Sequence, residues 1–156
     1  MSTEPEDAGP RPSSDVRRWL PLMGLVVGVW GMLPRYVSPE LNTSDRVEFA
    51  DHVVPGILVV AVSLVMLLMR GRKAEKGQSM LPLLAGMAVL LAGFWMMATH
   101  LPLVAQALRD EAPWTGTIYH TSSSLAVFGL GLLWVTAHWG DLADAEPAVA
   151  DQADQP

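Results

Sequence analysis

Four apolar stretches, about residues 19–37, 53–69, 80–104 and 118–139, alternate with polar, turn-rich segments along the chain. Each is long enough, or nearly so, to cross a hydrocarbon layer as a helix. The first is the shortest: its uninterrupted part, residues 19–33, rises about 22 Å against a layer of ~30 Å. Pro34 kinks its end and Arg35 can extend toward the headgroups. Pro55 and Pro82 fall where the second and third helices begin, positions at which a missing N–H costs little, with Asp51 or His52 near the second N-cap and Ser79 at the third. The pattern predicts an all-α polytopic membrane protein of four transmembrane helices arranged as two hairpins. Residues 1–18 and 140–156 flank this domain as polar tails too poor in apolar residues to order themselves.

Between the second and third stretches lies a cationic loop, Arg70, Arg72, Lys73 and Lys76, and Arg17 and Arg18 precede the first. With Arg11, seven of the ten basic residues fall on one side of the predicted layer, against Arg35, Arg46 and Arg109 on the other. Loops rich in Lys and Arg remain cytoplasmic, so both termini and the 70–76 loop are expected inside and the other two loops outside. Arg17-Arg18 also invites comparison with a secretion signal, but Pro34-Arg35-Tyr36 replaces a small-residue cleavage site, so the first helix reads as an uncleaved anchor of the cytoplasmic membrane.

Composition agrees with this picture: 51% of the residues are hydrophobic and the net charge of −6 resides in the tails. Nucleic acid is excluded as a partner, because topology accounts for the basic residues. The chain has no cysteine, which excludes thiolate metal sites, disulfides and a cysteine nucleophile. No phosphate loop, dinucleotide fingerprint, metalloprotease motif or nucleophile elbow is present, and the sequence names no cofactor. Ionisable residues are missing from the middle of all four stretches, which argues against a transporter or a proton relay.

The remaining chemistry sits at the outer ends. His52, His100 and His120 fall near the outer termini of helices two, three and four, with Glu48 and Asp51 nearby and Met96 and Met97 about a turn below His100. Three imidazoles are a donor set for Zn or Cu. They are far apart in sequence, however, and helix-end histidines more often hydrogen-bond in the headgroup region. His138, alone at the inner end, gives no axial pair for haem. His120, Ser123 and Ser124 share a helical face, yet membrane serines more often bond their own carbonyls than act as nucleophiles. Gly24-x-x-x-Gly28 offers a face for close helix packing, and Trp134 and Trp139 lie toward the inner end of the fourth helix, as interfacial aromatics would.

A shift of 68 residues superposes Leu33-Pro34 on Leu101-Pro102 and His52 on His120, a weak signal of a duplicated hairpin. Gly28-Val29-Trp30 with a following Pro, and then Asp51-His52-Val53-Val54-Pro55-Gly56, resemble the SPW-repeat family of small bacterial membrane proteins. Here Ser38-Pro39 is followed by Glu40, and the second half has Thr99-His100-Leu101-Pro102. The resemblance implies a compact four-helix protein without an assigned catalytic residue. Together these readings give a non-catalytic accessory protein that packs against another membrane protein or a second copy of itself. The alternative is an outer-face metal or small-ligand binding protein using His52, His100 and His120.

Overall fold

The computed structural model describes residues 14–33, 47, 49–70 and 80–140. It is all-helical there, with four helices: α1 (Ser14–Met32), α2 (Val54–Leu68), α3 (Leu81–Leu108) and α4 (Trp114–His138). A π-helical turn, Phe49–Val53, leads directly into α2. Together with that turn α2 is long and apolar enough to cross a membrane, as are α3 and α4. Helix α1 carries Asp15, Arg17 and Arg18 in its first turns, which shortens its apolar part.

Three helix boundaries move outward from those the sequence predicts: the starts of α1 and α4 and the end of α3. Helix α1 starts at Ser14, where Asp15 suits the positive end of the helix dipole. Helix α4 starts at Trp114, because Pro113 takes an extended conformation (φ −71°, ψ 129°) and the chain can turn helical immediately after it. Helix α3 continues through Pro102 to Leu108. It ends with Asp110 at φ 60°, a left-handed residue that lets Asp110 N–H reach the Ala107 carbonyl at 3.2 Å and Glu111 N–H the Gln106 carbonyl at 2.9 Å. The α3–α4 connection is therefore a tight turn, not the longer loop expected over 106–116. No side-chain cap forms on α2 or α3, and the N-cap expected from Asp51 or His52 is replaced by the π turn. Residues 14–18, expected in the first tail, belong to α1, whereas the expectations for residues 1–13 and 141–156, for Pro34 and Arg35, for the loop around residues 38–46 and for Arg72, Lys73, Lys76 and Ser79 lie outside the described residues.

The helices close into a ring in which α1 packs on α2, α2 on α3, α3 on α4 and α4 on α1. Glycines set the spacing. A Cβ added at Gly93 would collide with the backbone of Phe128, and one at Gly131 with the backbone of Leu90, so α3 and α4 touch main chain to main chain. Gly24 faces Ser63 of α2, while Gly28 lies opposite Gly56, Val59 and Val60. These contacts climb α1 while descending α2, so the two helices run in opposite directions. Leu20, Val59, Val89, Met96, Val127 and Trp134 fill the interior.

The outside is apolar too: Val26, Ile57, Leu64, Leu91, Phe94 and Leu125 are exposed along the helices. Such a coat suits lipid and would be a liability in water. One sequence reading needs correction. Trp134, expected as an interfacial aromatic, is fully buried against Gly24 and Gly86, whereas Trp139 is exposed as expected. Two small residues on neighbouring helices leave a pocket that an indole fills.

Candidate metal centre

Each histidine reaches the interior by a different local device. The π turn inserts an extra residue per turn immediately before α2, and His52 within it points inward and is 1% exposed. His100 lies eight residues before the end of α3, about 12 Å from its terminus, and His120 six residues into α4, about 9 Å from its start. Because the α3–α4 turn is tight, these two depths coincide. The π turn brings His52 to the same level.

The three side chains converge and all are buried. His52 Nε2 lies 3.0 Å from His120 Nε2 and 3.1 Å from His100 Nε2. Ring centroids are 4.7 Å apart for His52 and His100, 4.5 Å for His52 and His120, and 5.1 Å for His100 and His120. The first two pairs meet edge to face, so the nitrogens share a point and the rings do not stack.

Tautomer counting decides what this geometry favours. His100 Nδ1 donates to the Met96 carbonyl one turn back, and Thr99 Oγ1 donates to the same carbonyl at 2.9 Å. A carbonyl accepts only, so a neutral His100 carries its proton on Nδ1 and presents a bare lone pair at Nε2. One proton on His52 Nε2 cannot point in line at both His100 and His120. Protons alone therefore leave at least one nitrogen–nitrogen approach poorly satisfied in a buried setting, where that costs most.

A cation resolves the conflict, since all three lone pairs then face a positive centre. Tetrahedral donors about 2.0–2.1 Å from a metal lie roughly 3.4 Å from one another; the two approaches to His52 Nε2, at 3.0 Å and 3.1 Å, would have to open by only about 0.3 Å, and all three candidate ligand atoms lie within 4.8 Å of one another. His100 also has the outer hydrogen bond that metal-binding imidazoles use to fix their orientation. His52 Nδ1 makes no well-formed hydrogen bond, and its ring lies against the Gly31 backbone. Asp51, half-buried and adjacent to His52, is close enough for its charge to act on His100, and it would partly neutralise a cation held by neutral ligands.

Other candidates separate from the cluster. Ser123 and Ser124 are buried beside His120, but their hydroxyls donate to carbonyls three residues back, at 3.3 Å and 2.7 Å. His138 bonds the Trp134 carbonyl at 3.0 Å, at the opposite end of α4. Met96 is buried in the core and Met97 half-buried, while Glu48 lies outside the described residues. Gly24 and Gly28 serve the α1–α2 contact within the chain. Arg17 is partly buried and Arg18 and Arg70 are exposed. The π turn was not legible in the sequence; a Pro at position 55, three residues after a histidine, was its sole local mark.

The chain matches no family model, and no curated protein and no solved structure matches it.

Proposed function

We propose that the protein is a small metal-binding protein of the cytoplasmic membrane, its four helices crossing as two hairpins with both termini inside. His52, His100 and His120 bind one transition-metal ion at the outer end of the bundle. The observation that carries this reading is the convergence of three buried imidazoles from three different helical segments, with His52 Nε2 3.0 Å from one partner nitrogen and 3.1 Å from the other. Three neutral imidazoles suit zinc or copper better than a hard cation such as magnesium or calcium. Three protein ligands also leave a coordination position for a fourth group.

Elemental analysis of the detergent-purified protein after metal loading and desalting tests the reading. About one equivalent of metal in the wild type, and little in His120→Ala, is the expected result. A wild type that emerges free of metal ends the proposal.

The accessory role, packing against another membrane protein or a second copy, is a second proposal that draws on the exposed apolar coat. Lipid satisfies that coat equally well, and the glycines that would make a contact face are occupied inside the chain, so metal binding is the stronger reading. A larger assembly in blue-native electrophoresis would favour the accessory role, and a strictly monomeric species would count against it.

A further inference from the structure

Three histidines leave a fourth ligand to find, and the 68-residue offset points to where it lies. Residues 52 and 120 differ by that offset, and their Nε2 atoms are 3.0 Å apart. Residues so related meet in this way when they flank a two-fold axis that exchanges the two helix pairs. Packing registers agree. Gly28 of α1 meets Val59 and Val60 of α2, and Gly93 of α3 meets Val127 and Phe128 of α4, which are the same α2 positions plus 68. Gly93 itself falls within one turn of the position that corresponds to Gly28.

Applied to His100, the offset gives Met32, the last residue of α1. Its side chain is half-buried and turned toward α2, where a Cβ on Gly56 would collide with Met32 Cγ and stand 3.4 Å from Sδ. Gly56 follows His52 by one helical turn, and Gly31, the neighbour of Met32, lies against the His52 ring. Glycine at 56 thus leaves room for the thioether to turn into the bundle at the level of the histidines. We infer that Met32 Sδ is the fourth ligand of the histidine centre and that the ion it selects is copper(I).

The inference rests on the metal-binding reading above. Thioether sulfur is a soft donor that favours copper(I) over zinc. Charge argues the same way. With four neutral ligands in an apolar setting, a monovalent ion leaves less uncompensated charge than a divalent one.

The test uses the full-length protein in detergent, loaded anaerobically with copper(I) or with zinc(II) and examined by X-ray absorption and by competition with a chelator. Copper(I) in the wild type should show sulfur beside nitrogen in its first shell. Met32→Leu should remove the sulfur and weaken copper(I) binding by no less than ~10-fold, the lower end of what even indirect ligand support contributes. Zinc binding should change little in that variant, and Met96→Leu, which alters the buried methionine nearest His100 in sequence, should keep the sulfur. Copper bound in a nitrogen-only shell by the wild type, or sulfur that survives Met32→Leu, overturns the choice of Met32 while leaving metal binding intact. A wild type that takes up neither ion overturns both.

Discussion

The α3–α4 seam and the histidine end above it are both buried, and they are built on opposite principles. In the seam, Gly86, Gly93 and Gly131 remove side chains so that backbones meet, with the Val135 amide 3.0 Å from where a Cβ on Gly86 would stand. The contacts there are main chain against main chain. At the histidine end, three polar rings are pushed together so that one proton on His52 Nε2 cannot point at both neighbouring nitrogens. Burial alone therefore does not mark a site. The seam contributes stability through dispersion, while the histidine end gathers polar groups whose hydrogen-bonding directions compete.

The largest effect should come from filling the seam. Gly131→Val would drive a branched side chain into the Leu90 backbone, which cannot yield as a flexible side chain would. A loss beyond the ~1–3 kcal/mol of ordinary overpacking is expected, seen as failure to recover a monodisperse protein from detergent. A variant with unchanged recovery and thermal midpoint would mean that α3 and α4 are further apart than described.

Metal should act at the other region, with the next largest effect. An ion that binds the folded form at a hundredfold excess over its Kd stabilises by ~2.7 kcal/mol, so the thermal midpoint should rise on loading and fall back with a chelator. His52→Ala should abolish the rise, because both nitrogen–nitrogen approaches, at 3.0 Å and 3.1 Å, are made by His52 Nε2. An equal rise in that variant would place the ion elsewhere.

Without metal the comparison predicts a reversal of the usual sign. Removing a buried, poorly satisfied polar group and replacing it with an apolar one of similar size is often neutral or favourable. Metal-free His52→Leu should then be as stable as the metal-free wild type or more so, by up to about 1 kcal/mol. Marked destabilisation in chemical unfolding would show that the three rings form a satisfied network that needs no ion.

These contrasts also explain what could be read in advance. Helix number and placement follow from apolar run length, and α2, α3 and α4 lie where the runs are. That His52, His100 and His120 fall toward one end of the bundle follows from the same runs, but their convergence does not. It depends on the π turn at Phe49–Val53 and on a tight turn closed by a left-handed Asp110, and neither has a firm sequence signature. Trp134 misled for a related reason. A tryptophan near a helix end reads as interfacial unless the glycines that receive it, 48 and 110 residues away in the chain, are known to face it.

His138 supplies the smallest effect and the cleanest control. It is buried, and like His100 its Nδ1 donates to the carbonyl four residues back, here Trp134 at 3.0 Å. If that local arrangement were enough to mark a ligand, His138 would bind metal as well. It has no second imidazole facing it among the described residues, so the convergence criterion excludes it. His138→Leu removes one neutral hydrogen bond and should cost no more than about 1 kcal/mol, with metal stoichiometry and the metal-dependent rise in midpoint unchanged. Reduced metal uptake in this variant, with the fold intact by circular dichroism, would show that the two ends are coupled and that the histidine centre is not self-contained.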